Sequence, residues 1–358
     1  MRERLRDART VVVKVGTSSL LDERGLLDLP VISRHLRDLV AIGRAGVRAL
    51  LVSSGAIGAG RVRLGYTERP TTIPELQATA AVGQSLLMNT YNSLLAEHGV
   101  VVAQLLLTHE DFQDRRRYLN LRNTLAALHG RQVLPVINEN DTVSVDEIRF
   151  GDNDTLAALV AGLVGADVTV LCTDVDGFYV DGQRLDEVAE ITPAIETAAR
   201  PGPGSGGMVS KLRAAATITR AGGFAVIAHG KRHAVPDILR GEPLGTLFAP
   251  RGALGPRGRW LQALKESGRL GVDAGSVSAL RQHGRSLLPV GICSCEGEFE
   301  AGDAVLVIGP GGPVAKGIVN YPSGDLRRIL GRKSGEIAGV LGAKEFDEVI
   351  HRDNMVLL

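Results

Sequence analysis

Six short apolar runs, at residues 11–15, 48–52, 100–107, 133–137, 168–172 and 224–228, are separated by longer stretches of helical character. No other feature of the chain constrains its fold as strongly. Several of the runs are rich in valine, and unbroken apolar runs suit strands buried on both faces of a parallel sheet. Between them, residues 29–45, 74–97, 115–129, 155–164 and 208–221 carry helical patterns. Strand and helix alternating in this way predict a three-layer α/β domain with an open, mostly parallel sheet at residues 1–250.

The texture changes beyond that point. Residues 249–258 read Ala-Pro-Arg-Gly-Ala-Leu-Gly-Pro-Arg-Gly, so residues 251–270 are expected to form a linker. After it, the stretches 286–292, 304–308 and 314–320 are short and set between glycine-rich turns. They predict a small β-rich domain at residues 271–358.

Composition excludes several classes. The formal net charge of +1 gives the whole molecule no field for nucleic acid or anionic membrane. Three cysteines, Cys172, Cys293 and Cys295, make no disulfide framework, so a reducing compartment, the cytoplasm, is expected. Charges of both signs fill the first nine residues, unlike a signal peptide. No run of about 18 uninterrupted apolar residues predicts a membrane span.

Chemistry concentrates where apolar runs end. Lys14 and Gly16 follow the first run; a lysine there faces ligand at the carboxyl edge of an open sheet, and a glycine lets backbone N–H groups approach an anion. Residues 52–60 read Val-Ser-Ser-Gly-Ala-Ile-Gly-Ala-Gly, placing Ser54 and small residues at a helix start, a ready anion site. Residues 138–141, Asn-Glu-Asn-Asp, and residues 151–154, Gly-Asp-Asn-Asp, crowd carboxylates and amides into two loops. Such groups read the ammonium and carboxyl ends of an amino acid, with Asp141, Asp152 and Asn153 as candidates. One residue of 152–154 is also expected to cap the helix that follows. Thr173 and Asp174 follow the fifth run and are placed to hydrogen-bond a nucleotide. Finally, Gly204-Ser-Gly-Gly-Met-Val-Ser-Lys211 opens a helix, an anion cradle with a second lysine. Two lysines on separate units suit a clamp on a transferring phosphoryl group.

In this order the motifs resemble the amino acid kinase family, from about residue 11 to 351, and residues 272–352 resemble a PUA domain. The resemblance implies the amino acid kinase fold and ATP-dependent phosphorylation of a small amino acid's carboxylate. The loops at 138–141 and 151–154 imply L-glutamate as that amino acid, at the first step of proline biosynthesis. By the same resemblance, Lys14 and Lys211 neutralise the transferred phosphoryl group and Asp154 orients them. Ser54, Asp141 and Asn153, with Asp152 beside them, bind substrate. Lys14, Gly16, Thr173, Asp174, Ser205, Gly206, Gly207, Met208, Val209, Ser210 and Lys211 belong to the nucleotide site. The family's Gly-Thr-Gly-Gly-Met-x-Thr-Lys is Gly204-Ser-Gly-Gly-Met-Val-Ser-Lys211 in this chain, with a hydroxyl kept at both changed positions.

ATP with Mg²⁺ held mostly by phosphates and water, proline as inhibitor, a homo-oligomer and hand-over to the next enzyme are also expected, with no protein metal site. A carboxylate is already a nucleophile, and the absence of histidine from these motifs agrees with chemistry that needs no general base. Residues 271–358 carry nine Lys/Arg against eleven Asp/Glu, a net of −2, so strong RNA binding is not expected. Two other readings stay open: a sibling kinase acting on another carboxylate, and an RNA-binding regulatory protein with a degenerate kinase fold.

Overall fold

The computed structural model describes residues 1–144, 153–199, 207–252 and 254–358. They divide into two compact units, Met1–Leu254 and Gly255–Leu358.

In the first unit, the valine-rich runs become strands β1 (Thr10–Val15), β2 (Arg48–Ser53), β3 (Val102–Leu107), β4 (Leu134–Glu139) and β5 (Val168–Thr173). A small hairpin, β6 (Tyr179–Val180) and β7 (Gln183–Arg184), is followed by β8 (Glu187–Val188), β9 (Phe224–His229) and β10 (Thr246–Phe248). The helices are α1 (Thr17–Leu20), α2 (Leu29–Arg44), α3 (Ala56–Arg63), α4 (Ile73–Ala96), α5 (Glu110–Gln113), α6 (Arg115–Gly130), α7 (Asp154–Val164), α8 (Pro193–Ala198), α9 (Met208–Arg220) and α10 (Val235–Leu239).

Among the described residues, eight strands form one sheet in the order β3-β4-β2-β1-β5-β9-β10-β8. Every neighbouring pair is parallel except β9 with β10. Central strands β1, β5 and β9 are buried at every position, as uniformly apolar runs require. Strand β3 departs from that expectation. It is the edge of the sheet, and most of its side chains are partly or fully exposed, although its sequence is as apolar as the others. Helix starts follow the expected chemistry: Asp28 accepts from Val31 N at 3.3 Å at the start of α2, and Asp114 from Arg117 N at 2.8 Å at the start of α6.

The second unit has its own apolar core, with Leu270, Val305, Val307, Leu326 and Ile350 fully buried. Its strands β11 (Gly268–Val272), β12 (Ile292–Gly297), β13 (Ala304–Gly309), β14 (Gly312–Ile318) and β15 (Met355–Leu357) pair in the order β12-β11-β13-β14-β15. Helices α11 (Pro256–Ala263), α12 (Ala274–His283), α13 (Ser323–Ile329) and α14 (Ile337–Leu341) complete it.

Two expectations are corrected here. Residues 251–270, read as a linker, contain helix α11 and the start of β11. The Pro/Gly texture misled because proline costs nothing in a helix's first turn, where its missing N–H has no partner anyway. Lys316 holds α11 in the unit by donating to Gln262 O at 3.2 Å. Residues 286–292, read as a strand, make only a bridge from Leu287 to Ile350 and a 3₁₀ turn at Pro289–Gly291. Pro289 supplies no ladder donor, and the strand begins at Ile292.

Candidate active site

Parallel order brings the carboxyl ends of β1, β2, β4 and β5 to one edge of the sheet. Lys14, near the end of β1, is 4% exposed, Lys211, in the first turns of α9, 6%, and Asp154, the first residue of α7, 0%. Lys14 Nζ lies 2.6 Å from Asp154 Oδ1, and Lys211 Nζ lies 3.0 Å from Oδ2. Ser210 Oγ also donates to Asp154 Oδ2, at 3.3 Å. One carboxylate thus spaces two ammonium groups that would otherwise repel. Gly16 follows immediately; a Cβ placed there would lie 3.5 Å from Lys14 Nζ, so the backbone runs close beside the cation.

Beside the trio sits a network of amides. Asn153 is fully buried, and its Nδ2 donates to Ser53 O at 2.6 Å, Asn138 Oδ1 at 2.6 Å and Ser54 Oγ at 3.1 Å. Asn138 in turn donates to Gln84 Oε1 at 2.8 Å, and Ser53 Oγ pairs with Tyr91 OH at 2.8 Å. Asn153 occupies the N-cap position of α7 without using its side chain as a cap. Of residues 152–154, Asn153 thus takes the expected N-cap position, while its side-chain amide ties the ends of β2 and β4 together. Asp141, 5% exposed, follows β4 on the same side. Helix α3 begins here after Gly55, whose φ of 91° only glycine adopts without strain.

Thr173 ends β5, its hydroxyl donating to Asp174 Oδ1 at 3.0 Å while its carbonyl accepts from Gly230 N at 2.7 Å. Gly207 precedes α9, and Met208, Val209, Ser210 and Lys211 form its first turn, where orphan N–H groups and the helix dipole favour an anion. Asp152, Ser205 and Gly206 lie outside the described residues.

The structure brings Lys14, Asp154 and Lys211 together, and Ser54 with Asn153, although they are scattered over nearly 200 residues of sequence. Gln84 and Tyr91, both on α4, were missed. Their sequence context is that of an ordinary helix, and only the packing of α4 beneath β2 and β4 shows their partners. Burial pushes the Tyr91 hydroxyl up to about 12, with its Ser53 hydrogen bond pulling the other way. Burial likewise pushes the Cys172 thiol, behind Gly16, up to about 12 despite the nearby Lys14, so it stays a protonated core group. Among the described residues, no group of three or more His, Cys, Asp or Glu could hold a metal ion, and no helix is long and apolar enough to cross a membrane.

Residues 9–228 match the amino acid kinase family, and residues 268–341 match the PUA domain. The chain is 48% identical to a glutamate 5-kinase of Moorella thermoacetica, covering 99% of this chain and 97% of that protein. It is 46% identical to a glutamate 5-kinase of Chromohalobacter salexigens, covering 100% and 98%. Among solved structures, a carbamate kinase from Giardia lamblia bound to AMP-PNP is similar over 68% of this chain and 99% of its own, at 22% identity and a TM-score of 0.49.

Proposed function

The chain belongs to the amino acid kinase family, and from that premise we propose that it phosphorylates the γ-carboxylate of L-glutamate with ATP, giving L-glutamyl 5-phosphate at the first step of proline biosynthesis. The observation that carries this reading is the buried Lys14–Asp154–Lys211 trio at the carboxyl edge of the sheet. Its support is the near full-length similarity to glutamate 5-kinases.

A carboxylate oxygen of glutamate attacks the γ-phosphorus of ATP, the bond from that phosphorus to the β,γ-bridging oxygen breaks, and ADP leaves with the electron pair. No proton moves, so no general base is needed. Lys14 and Lys211 stabilise charge on the transferring group from two directions, and Asp154 holds them apart at the required spacing. The first turn of α9 and Gly16 offer N–H donors to the phosphates, and Thr173 and Asp174 serve the nucleotide. Ser54, Asp141 and Asn153, with Asp152, hold the amino acid so that attack is in line. Mg²⁺ bound with the nucleotide would add neutralisation of the β- and γ-phosphates. Both Asp154 oxygens already face ammonium groups, so the ion is expected to ride on phosphates and water rather than in a protein cage.

Hydroxylamine trapping tests the reading directly: with ATP and Mg²⁺, a panel of amino acids and other carboxylates should yield a hydroxamate from L-glutamate above all. A stronger signal from another carboxylate, or none from any, would replace it.

The same reading extends to a cytoplasmic homo-oligomer that proline inhibits and that passes its unstable acyl phosphate to the next enzyme. Strong RNA binding by the PUA unit is not part of it. Arg327 and Arg328, in the one basic run of that unit, pair with Glu298 at 2.8 Å and Asp325 at 3.5 Å. Those charges are already partly spent within the protein.

A further inference from the structure

An open cleft of about 230 Å³ lies against the first turn of α3, and Asp141, Arg61 and Arg69 are among the residues that line it. Its remaining lining includes Leu21 and Ile57, so the charged groups stand out against apolar walls. The catalytic trio does not use this cleft, and neither arginine stood out in the sequence.

Arg61 is held in place from two sides. Its Nη1 donates to Thr67 O at 3.0 Å. Its Nη2 packs against Gly25, where a Cβ would lie 2.5 Å away and where φ is 78°. Gly25 sits in a tight turn fixed by Asp22, whose Oδ1 accepts from Arg24 N and from Leu26 N, both at 2.9 Å. A guanidinium has five N–H donors in a rigid fork, and among the described residues Thr67 O takes one of them. A positioned fork with donors to spare is suited to a carboxylate.

The lining thus combines guanidinium groups with a buried carboxylate, which matches in sign the two charges on the α-carbon of a free amino acid. Resting on the function proposed above, we infer that Arg61, supported by Arg69, is a specificity residue that binds the α-carboxylate of the substrate, with Asp141 taking the α-ammonium. The γ-carboxylate is then left to point toward the lysines. A substrate without the α-carboxylate leaves Arg61 unmatched, which is how a polar site rejects a close analogue.

The test compares L-glutamate with 4-aminobutyrate, which keeps the ammonium and the reacting carboxylate and lacks only the α-carboxylate. The wild-type chain should prefer glutamate by about 10²-fold or more in kcat/KM. In Arg61→Ala that preference should shrink by about 30-fold, the usual scale for truncating one side of a charged pair, and KM for ATP should hold. Arg61→Lys should restore part of it, and Arg69→Ala should shrink it less. Should Arg61→Ala melt early, Arg61→Lys and Arg69→Ala carry the comparison.

An equal loss for both substrates would mean that Arg61 only braces the loop at Thr67, and would overturn the inference. Calorimetric binding of the same two ligands separates this result from the proposed reaction. If no carboxylate is phosphorylated, the reaction fails as proposed, while a glutamate-over-4-aminobutyrate preference in binding that Arg61→Ala abolishes still supports the α-carboxylate site. No such preference, or no binding of either ligand, overturns it.

Discussion

Gly60 on α3 and Gly83 on α4 meet backbone to backbone: a Cβ on Gly60 would lie 1.9 Å from Thr79 O, and one on Gly83 would lie 1.7 Å from Ala56 O. Two helices can approach this closely only where neither has a side chain. The contact sets the position of α3, and with it Gly55 and the cleft at its first turn. Gly60→Ala or Gly83→Ala should therefore force the helices apart and destabilise the first unit by about 3 kcal/mol, lowering its melting temperature by roughly 10 °C. Gly43→Ala is the control. It lies in α2 with nothing within 4 Å of its Cβ position, and should be neutral or stabilising by about 0.5–1 kcal/mol. Thermal melts of the three variants decide the matter; a normal melt for Gly83→Ala would show that the helices part at no cost.

In the proposed reaction the two lysines act on a charge that shifts during transfer, so their loss should appear in turnover more than in binding. Lys14→Ala and Lys211→Ala are each expected to lower kcat by about 10²-fold or more. Asp154→Asn leaves two buried ammonium groups sharing a neutral partner and should also cut kcat. Steady-state kinetics check all three, and a near-normal kcat in either lysine variant would remove that lysine from the reaction.

Asp141→Ala should raise KM for glutamate far more than KM for ATP, because the proposed function assigns it to the amino acid. Asn138→Ala strips a fully buried acceptor from Asn153 and leaves Gln84 without its donor. A loss of about tenfold in kcat/KM for glutamate is expected from the loosened geometry. Equal changes in both KM values would place the pocket elsewhere.

His35 on α2 is 2% exposed. Burial, reinforced by the adjacent Arg34 guanidinium and opposed by the Gly230 backbone, pushes its imidazole down from 6.5 to about 4. Above pH 6.5 the ring is neutral in both folded and unfolded chains, and it contributes no pH dependence. Below it, the unfolded chain binds a proton that the folded chain refuses, so stability falls as pH drops from 6.5 toward 4, by about 3 kcal/mol in all. Denaturant unfolding of the wild type and His35→Leu across that window should show a gap that changes by this amount. Parallel pH profiles would mean the ring is protonated in the fold.

A chain ending at Leu254 keeps the whole first-unit core and every described residue of the catalytic site. It should fold alone and retain measurable kinase activity, with any change confined to assembly or to the response to proline. Circular dichroism, sedimentation and the hydroxamate assay test it, and failure to fold would show that the first unit depends on the second.

Five helices and the six strands that end at or near the site were legible in the chain, because hydrophobic period and turn chemistry are local properties. Arg115–Gly130 and Phe224–His229 differ from their sequence-read bounds by a single residue. The candidate groups were legible too, since a lysine or glycine that follows an apolar run is recognisable from its type and position alone. What the sequence could not settle was each group's partner. Asn153 reads as a substrate candidate and one of three possible helix caps, and only the adjacency of β2 and β4 turns its amide toward Ser53 and Asn138. Gly60 reads as part of the glycine-rich helix start at 52–60, and only packing brings it against Gly83. Arg61 does not stand out in the sequence, and only the fold sets it against Gly25 and Thr67 at the lining of a cleft. A residue's type and its neighbours in sequence determine what it is able to do. Which residue meets it across the fold depends on strand order and helix packing, and those are set jointly by the whole core.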